Sequence, residues 1–299
     1  YAADQLQSHG LNVASLVGGM DAWSELYETH KVNDDPAIYQ IYRAARGCIA
    51  YLIVSQGMAV AIDVARHTDR IRDLAASLNA KITAVLDTHL HADHISGGRD
   101  LASQAGVEYY LHPGDAGGAS IHYVPLVDGQ RLTFGAGVID VIHSPGHTPG
   151  STSFLVNKTH LFTGDTIMKT SMGRPDLGGK ADEWAALLYD TLFLRFRGLG
   201  DEVVALPSHA SSPREQDKSG VVKTTMGEAR KEGDLFQIQD KTAFTRYIKA
   251  NLLENPERYQ EMRKVNLGML QHEEAKKKEL EIGKNLCGMA KQDGPRASG

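Results

Sequence analysis

Thr88-His89-Leu90-His91-Ala92-Asp93-His94-Ile95-Ser96-Gly97-Gly98 sets three imidazoles and a carboxylate within six positions, directly after the apolar run Ile82 to Leu86, which reads as a buried strand. A loop at a strand end can fan several side chains toward one point, because neither helix nor ladder fixes their directions. Imidazole and carboxylate suit zinc or iron. This density of donors is far above that of isolated histidines on a polar turn, so the stretch reads as a metal loop.

The rest of the chain bounds what such a loop can serve. With 299 residues and 41% apolar residues the chain can bury one large core and carry an appendage. The formal charge of −5, with Lys and Arg in no block, argues against nucleic acid as a partner. Two cysteines, Cys48 and Cys287, form neither a disulfide framework nor a Cys-rich zinc module and point to a reducing cytoplasm. The apolar window Cys48 to Ala65 is divided by Ser55-Gln56-Gly57 into two strand-length pieces, so it reads as a hairpin and not as a membrane span.

From the amino end, Tyr1 is not a methionine and nothing after it has the form of a signal peptide, so the chain reads as a trimmed product. Ala2 to Ser8 reads as a helix and Leu11 to Leu16 as a short strand. Gly18-Gly19 reads as a turn into a helix over Asp21 to Leu26, with Asp21 as N-cap. Glu28 to Pro36 is polar and reads as a linker, which puts a domain boundary near residue 35. Strands follow at Ile38–Arg43, Cys48–Val54 and Met58–Val64, then a helix over His67–Leu78 and, after the metal loop, a helix with Leu101 on its apolar face. Further strands are read at Val107–Leu111, Val138–His143, Thr152–Val156, Leu161–Thr163 and Val203–Leu206, with a long helix over Ala181–Phe196. Strand runs alternating with helices place the chain in the α/β class.

Three further pieces complete a site. Ser144-Pro145-Gly146-His147-Thr148-Pro149-Gly150 holds a histidine in a turn stiffened by two prolines. Phe162-Thr163-Gly164-Asp165-Thr166 and Leu206-Pro207-Ser208-His209 each end a strand with a metal-binding side chain. His-x-His-x-Asp-His followed by these pieces in this order resembles the metallo-β-lactamase superfamily, over about Ile38 to Met269, which implies an αβ/βα four-layer sandwich. The superfamily's two-metal arrangement would use His89, His91 and His147 for one ion, Asp93, His94 and His209 for the other, and Asp165 as the bridge. His89, His147 and Asp165 alone have the composition of the facial triad of non-haem Fe(II) oxygenases, and sequence does not choose between these occupancies. Asp63 matches the superfamily's buried aspartate, which braces the metal loop from the second coordination sphere. His67, His112, His122, His143 and His160 match no ligand motif and read as structural or surface residues.

Met172-Gly173-Arg174-Pro175-Asp176-Leu177 resembles the Gly-Arg-x-Asp segment of the persulfide dioxygenases, the branch that includes the ethylmalonic encephalopathy protein and bacterial rhodanese fusions. That resemblance implies an enzyme with one Fe(II) per chain, held by His89, His147 and Asp165. It would use O2 to oxidise a thiol persulfide of glutathione type to sulfite and free thiol, with Arg174 gripping the thiol carrier. The glyoxalase II resemblance implies the alternative, a zinc thioester hydrolase acting on hydroxyacylglutathione with one or two Zn(II), and a third reading is a sulfur-transfer partner module without turnover. Persulfide dioxygenases of the best-known type follow the last histidine with Asp-Tyr, whereas this chain has His209-Ala210-Ser211-Ser212, which implies a different thiol pocket. Leu16-Val17-Gly18-Gly19-Met20-Asp21-Ala22-Trp23 resembles the last strand and helix of a rhodanese domain. The resulting division is a rhodanese-like remnant over 1–30, the metal-binding domain over 36–270, and a charged helix with a flexible tail over 271–299. Leu11, Val13, Leu16 and Trp23 form an apolar set that needs cover, so we expect them to be packed on the main domain or on a second copy of the chain in a homo-oligomer, and the resemblance adds a rhodanese domain to the expected partners.

Overall fold

The computed structural model describes residues 2–252, 257–282 and 287–289. After α1 (Ala2–Ser8) and α2 (Gly19–Ser24), four strands run as an antiparallel meander: β1 (Tyr27–Asp34), β2 (Ala37–Arg43), β3 (Cys48–Ser55) and β4 (Met58–Ile62). Helix α3 (Thr68–Ser77) crosses over to β5 (Lys81–Leu86), which lies parallel to β4. Helix α4 (Gly98–Ala105) leads to β6 (Tyr109–Leu111) and β7 (Val124–Pro125), closing a seven-stranded sheet in the order β1 to β7.

A second, six-stranded sheet is built from β8 (Arg131–Phe134), β9 (Gly137–His143), β10 (Thr152–Val156), β11 (His160–Gly164), β12 (Val204–Pro207) and β13 (Thr224–Thr225). Between β11 and β12 runs α5 (Ala181–Asp190), and after β13 come α6 (Met226–Glu232), α7 (Lys241–Ala250), α8 (Glu257–Asn266) and α9 (Glu274–Leu280).

The period of two along each strand sorts the side chains into layers. Ile49, Tyr51 and Ile53 of β3 point between the sheets, where they meet Phe134, Val141, Phe154 and Phe162. Ala50 and Leu52 point the other way, onto Ile71 of α3 and Leu101 of α4. Burial on both faces explains why β3 reads as an unbroken apolar run. The second sheet does the same: Leu161 and Ala205 turn outward onto Leu188 of α5 and onto Phe244 and Ile248 of α7. The result is the expected α/β sandwich of helices, sheet, sheet and helices. Tyr259, Met262 and Val265 of α8, with Leu280 of α9, pack on Ala92 and Ile95 and so cover the metal loop.

Several expectations need correction. The polar stretch read as a linker, Glu28 to Pro36, is strand β1 together with its turn, in register with β2 from Tyr27↔Arg43 to Asp34↔Ala37. As an edge strand it pairs on one side and faces solvent on the other, so it lacks the apolar alternation that marks an inner strand. The sheet therefore begins at Tyr27, inside the expected remnant.

Leu11 to Leu16 forms no strand, and Leu11 and Leu16 are 53% and 54% exposed, so the chain itself does not cover them. The following helix starts at Gly19, with Gly18 in the left-handed region at its N-cap and not Asp21. The long helix after residue 181 is α-helical only to Asp190. A π turn over Thr191–Arg195 continues it, and Thr191 Oγ1 donates 2.7 Å to the Pro145 carbonyl. The helix break thus anchors the loop that carries His147.

The hairpin read at Ser55-Gln56-Gly57 is present, and no helix of the described residues is long and apolar enough to cross a membrane. The charged carboxyl-terminal helix is present as α9. The flexible tail expected after it, Gln292 to Gly299, lies outside the described residues.

Candidate metal centre

All the loops singled out in the sequence leave one end of the sandwich. The metal loop follows β5, the His147 loop follows β9, Asp165 follows β11, and His209 follows β12, parallel to β11. Two left-handed residues make the close approaches possible. Asp63, ending β4, has φ of 53° and reaches back to the metal loop; Gly164 has φ of 56°, and a Cβ there would lie 2.5 Å from Thr88 Oγ1.

His89, His147 and Asp165 come together, each 1% exposed, with one donor atom from each within 4.8 Å of the others. Asp165 Oδ2 lies 3.5 Å from His147 Nε2 and 3.8 Å from His89 Nε2. These distances are too long for hydrogen bonds and suited to a shared ion. His89 Nε2 and Asp165 Oδ2 are buried and have no hydrogen-bond partner among the described residues. Buried polar atoms without partners are costly, and several of them converging on one point identify a place for a cation. Burial, with His91 and His147 alongside, pushes the His89 pKa well below its ordinary value. Burial also lowers that of His147, against the pull of Asp165. Neutral imidazoles keep the lone pairs that a metal needs.

The far side of each ligand is held. His89 Nδ1 lies 2.9 Å from Thr88 Oγ1, and His147 Nδ1 lies 2.9 Å from the carbonyl of Arg174. Thr88 is fixed in turn by Asp63, whose Oδ1 accepts from the Thr88 amide at 2.7 Å. Asp115 ties two loops together by accepting from the Leu90 amide at 2.9 Å, Thr148 Oγ1 at 2.6 Å and the Gly150 amide at 2.8 Å. Such outer contacts fix ring orientation and tautomer.

The other expected ligands form a second group. Asp93, His94 and His209 gather around Cys48, all buried. Burial opposes a charged His209, but Asp165 and Asp93 outweigh it and hold its pKa well above the ordinary value. His91 binds Asp63 through Nε2 at 3.2 Å, while its buried Nδ1 has no partner among the described residues and its ring lies beside that of His89.

The Arg174 guanidinium is buried and paired with Asp176, Nε to Oδ1 and Nη2 to Oδ2 at 2.6 Å each. The residue's contribution to the centre is the main-chain carbonyl that orients His147.

The histidines without a motif have ordinary roles. His67 bonds Tyr27 Oη at 2.6 Å, His112 stacks on His143 at 4.0 Å, His122 faces Glu108 at 3.3 Å and His160 faces Thr159 at 2.9 Å. Sequence reasoning missed Cys48, Asp115 and Glu281. Glu281 Oε1 accepts from the Ile95 amide at 2.9 Å and so braces the metal loop from 186 residues away. A lone cysteine in an apolar strand, an aspartate in a Gly-rich turn and a glutamate at the end of a charged helix give no signal by spacing.

With this geometry in place, the family model that matches residues 44–209 is the metallo-beta-lactamase superfamily. The chain belongs to that superfamily. Its solved structural relatives include a metallo-beta-lactamase from Staphylococcus aureus, at TM-score 0.70 and 26% identity over 77% of this chain and 72% of that one. ETHE1 from Myxococcus xanthus matches at TM-score 0.67 and 26% identity, over 78% of this chain and 98% of that one. Among curated proteins, human mitochondrial persulfide dioxygenase ETHE1 is 30% identical over 175 residues, 58% of this chain and 64% of that protein. The hydroxyacylglutathione hydrolase of Rhodospirillum rubrum is 34% identical over 119 residues, 38% of this chain and 44% of that protein. Members of this superfamily are usually metal-dependent enzymes, and the converging donor atoms fit a metal cofactor here.

Proposed function

We propose that the protein is a mononuclear non-haem Fe(II) persulfide dioxygenase, with His89, His147 and Asp165 as the iron ligands. The observation that carries this reading is the buried grouping of two imidazoles and one carboxylate, a donor set that fills one face of an ion and leaves positions for substrate and dioxygen. Bound there, Fe(II) would supply redox chemistry toward dioxygen that zinc cannot. The likeness to human persulfide dioxygenase ETHE1, over 58% of this chain, and to ETHE1 from Myxococcus xanthus supports the same reading.

The chain's own residues do the positioning. Thr88 and the Arg174 carbonyl keep the Nε2 atoms of His89 and His147 turned inward, and α8 and α9 help keep water off the loop. A cleft lined by Met168, Lys169, Met172, Leu235 and Tyr247 lies beside the segment Ile167–Met172, which follows the ligand Asp165 in the chain. The overall reaction is RSSH + O2 + H2O → RSH + SO3²⁻ + 2 H⁺, in which the terminal sulfur gives four electrons to dioxygen and the S–S bond breaks.

Persulfide-dependent O2 uptake with formation of sulfite, lost in His147→Ala, tests the assignment. A second reading, a zinc thioester hydrolase, is favoured by the presence of Asp93, His94 and His209 beside the triad and by the hydrolase relative. Anaerobic turnover of an acylated thiol would select it over the dioxygenase.

A further inference from the structure

Three of the described residues beyond α9, Cys287, Gly288 and Met289, lie on the segment that holds a metal ligand. Gly288 pairs with Gly173 in an isolated antiparallel bridge. The Arg174 amide donates to the Cys287 carbonyl at 2.8 Å, and the Met289 amide donates to the Met172 carbonyl at 2.8 Å. This short ladder satisfies one amide and one carbonyl of residues 172–174. The same backbone also serves the centre: the Gly173 amide donates to the Asp165 carbonyl at 2.6 Å, and the Arg174 carbonyl accepts from His147 Nδ1 at 2.9 Å. A single strand of backbone therefore separates residues 287–289 from the segments of two triad ligands.

The centre they adjoin is closed, since His89, His147 and Asp165 are each 1% exposed. The pieces that cover it are held in different ways. Helix α8 is rooted by Tyr259, Met262 and Val265, and Asn266 at its end donates to the His91 and His94 carbonyls at 2.9 Å each. Helix α9 is rooted by Leu280 and by the following Glu281, which meets Arg43 and Arg66. Residues 287–289 bring one fully buried side chain, that of Cys287, while Gly288 and Met289 are half-buried. Gly288 has no side chain to root, and a Cβ on it would lie 3.0 Å from Ser171 Oγ and 3.3 Å from Met168 Sδ. Met289 lines the cleft beside Ile167–Met172, and Met172 both lines that cleft and carries the ladder carbonyl. Lifting these three residues thus removes cover between the cleft and the segment that holds His147, and leaves α8 and α9 in place.

We propose that residues 287–289 form a strap that closes the metal centre at rest and lifts to admit a reactant from the neighbouring cleft. The strap is an autoinhibitory contact of the chain with itself, and a reactant binds only the fraction of molecules in which it is raised. Increasing that fraction lowers KM and leaves kcat unchanged where chemistry limits turnover. The inference concerns access and not the reaction, so it stands for a dioxygenase and a hydrolase alike.

Hydrogen exchange in the unmodified full chain provides the test, because the Gly173 and Arg174 amides are neighbours with different partners. Lifting the strap frees the Arg174 amide and leaves the Gly173 amide bonded to Asp165. Once corrected for sequence, Arg174 is expected to exchange about tenfold faster or more. Equal rates, both set by global unfolding, would overturn the strap. Gly288→Val, which crowds Ser171 and Met168, and Met289→Pro, which removes the amide to Met172, give a second measure. Both are expected to release a loaded cobalt(II) ion to a chelator about tenfold faster than wild type, at an unchanged urea midpoint. Release at the wild-type rate in both would overturn the strap, whichever reaction the centre performs. Should the variants lose stability, the exchange ratio in the wild type decides.

Discussion

His147 Nδ1 lies 2.9 Å from the main-chain carbonyl of Arg174, a residue 27 positions later whose guanidinium is clamped by Asp176. The sequence suggested that this arginine would meet substrate. The Gly173-Arg174 backbone is held by the Gly173 amide donating to the Asp165 carbonyl at 2.6 Å and the Arg174 amide donating to the Cys287 carbonyl at 2.8 Å, with the buried ion pair beside them, and this backbone holds the ligand. Gly173 allows the approach, since a Cβ there would lie 2.6 Å from His147 Nδ1.

Replacing Asp176 by alanine should therefore cost stability and metal together. Removing one partner of a buried ion pair typically costs about 3–5 kcal/mol, and disturbing the contact behind a metal-bound histidine about 10–100-fold in affinity. Urea unfolding and iron competition against a chelator measure the two effects. Wild-type values in both would show that Arg174 does not act through His147.

Asp63 should behave as a positioning residue for the triad. It accepts from the Thr88 amide, from Thr88 Oγ1 and from Ser208 Oγ, and Thr88 in turn faces His89 Nδ1. Asp63→Ala is expected to weaken metal binding by roughly 10–100-fold. Its partial rescue by Asp63→Asn, which keeps an acceptor for the Thr88 amide, separates positioning from simple loss of fold. Equal metal loading in Asp63→Ala and wild type would count against this role.

Glu281 should carry a pH-dependent share of stability. It lies 2.7 Å from Arg43 with both side chains 1% exposed, and 3.0 Å from Arg66. Burial would raise its pKa, but Arg43 and Arg66 outweigh this and lower it from the ordinary 4.5. A carboxylate with a lowered folded pKa stabilises fully above its unfolded pKa and loses that contribution as pH falls through the folded value. Glu281→Gln should thus cost about 3–5 kcal/mol at neutral pH. The gap to wild type should start to narrow near pH 4.5, where the carboxylate of the unfolded chain takes up a proton, and should close as pH falls through the lower folded value. Urea midpoints across pH would reveal a constant gap if the charge of Glu281 is irrelevant.

Much of this was legible in the sequence, for reasons that differ by element. The metal loop, Asp165 and His209 stand out because strand ends bearing donors interrupt apolar runs such as Ile82–Leu86, and both sheets bury both faces of their inner strands. The edge strand β1 was hidden because pairing on one side leaves its exposed half polar. Arg174 carried a motif but not its partner: nothing in Gly-Arg-Pro-Asp says that the aspartate two residues on will take the guanidinium. Cys48 and Glu281 reach the site only through long-range register, from β3 meeting the His209 loop and α9 closing over Ile95, and no local pattern encodes that.

The central claim is tested most directly by counting metal and dioxygen in one preparation: iron per chain in protein purified without added metals, together with O2 consumed and sulfite formed on a low-molecular-weight persulfide. The account predicts one iron per chain and one sulfite per O2, both lost in His147→Ala. Zinc in the triad with no O2 uptake, or turnover of a thioester under anaerobic conditions, would contradict it.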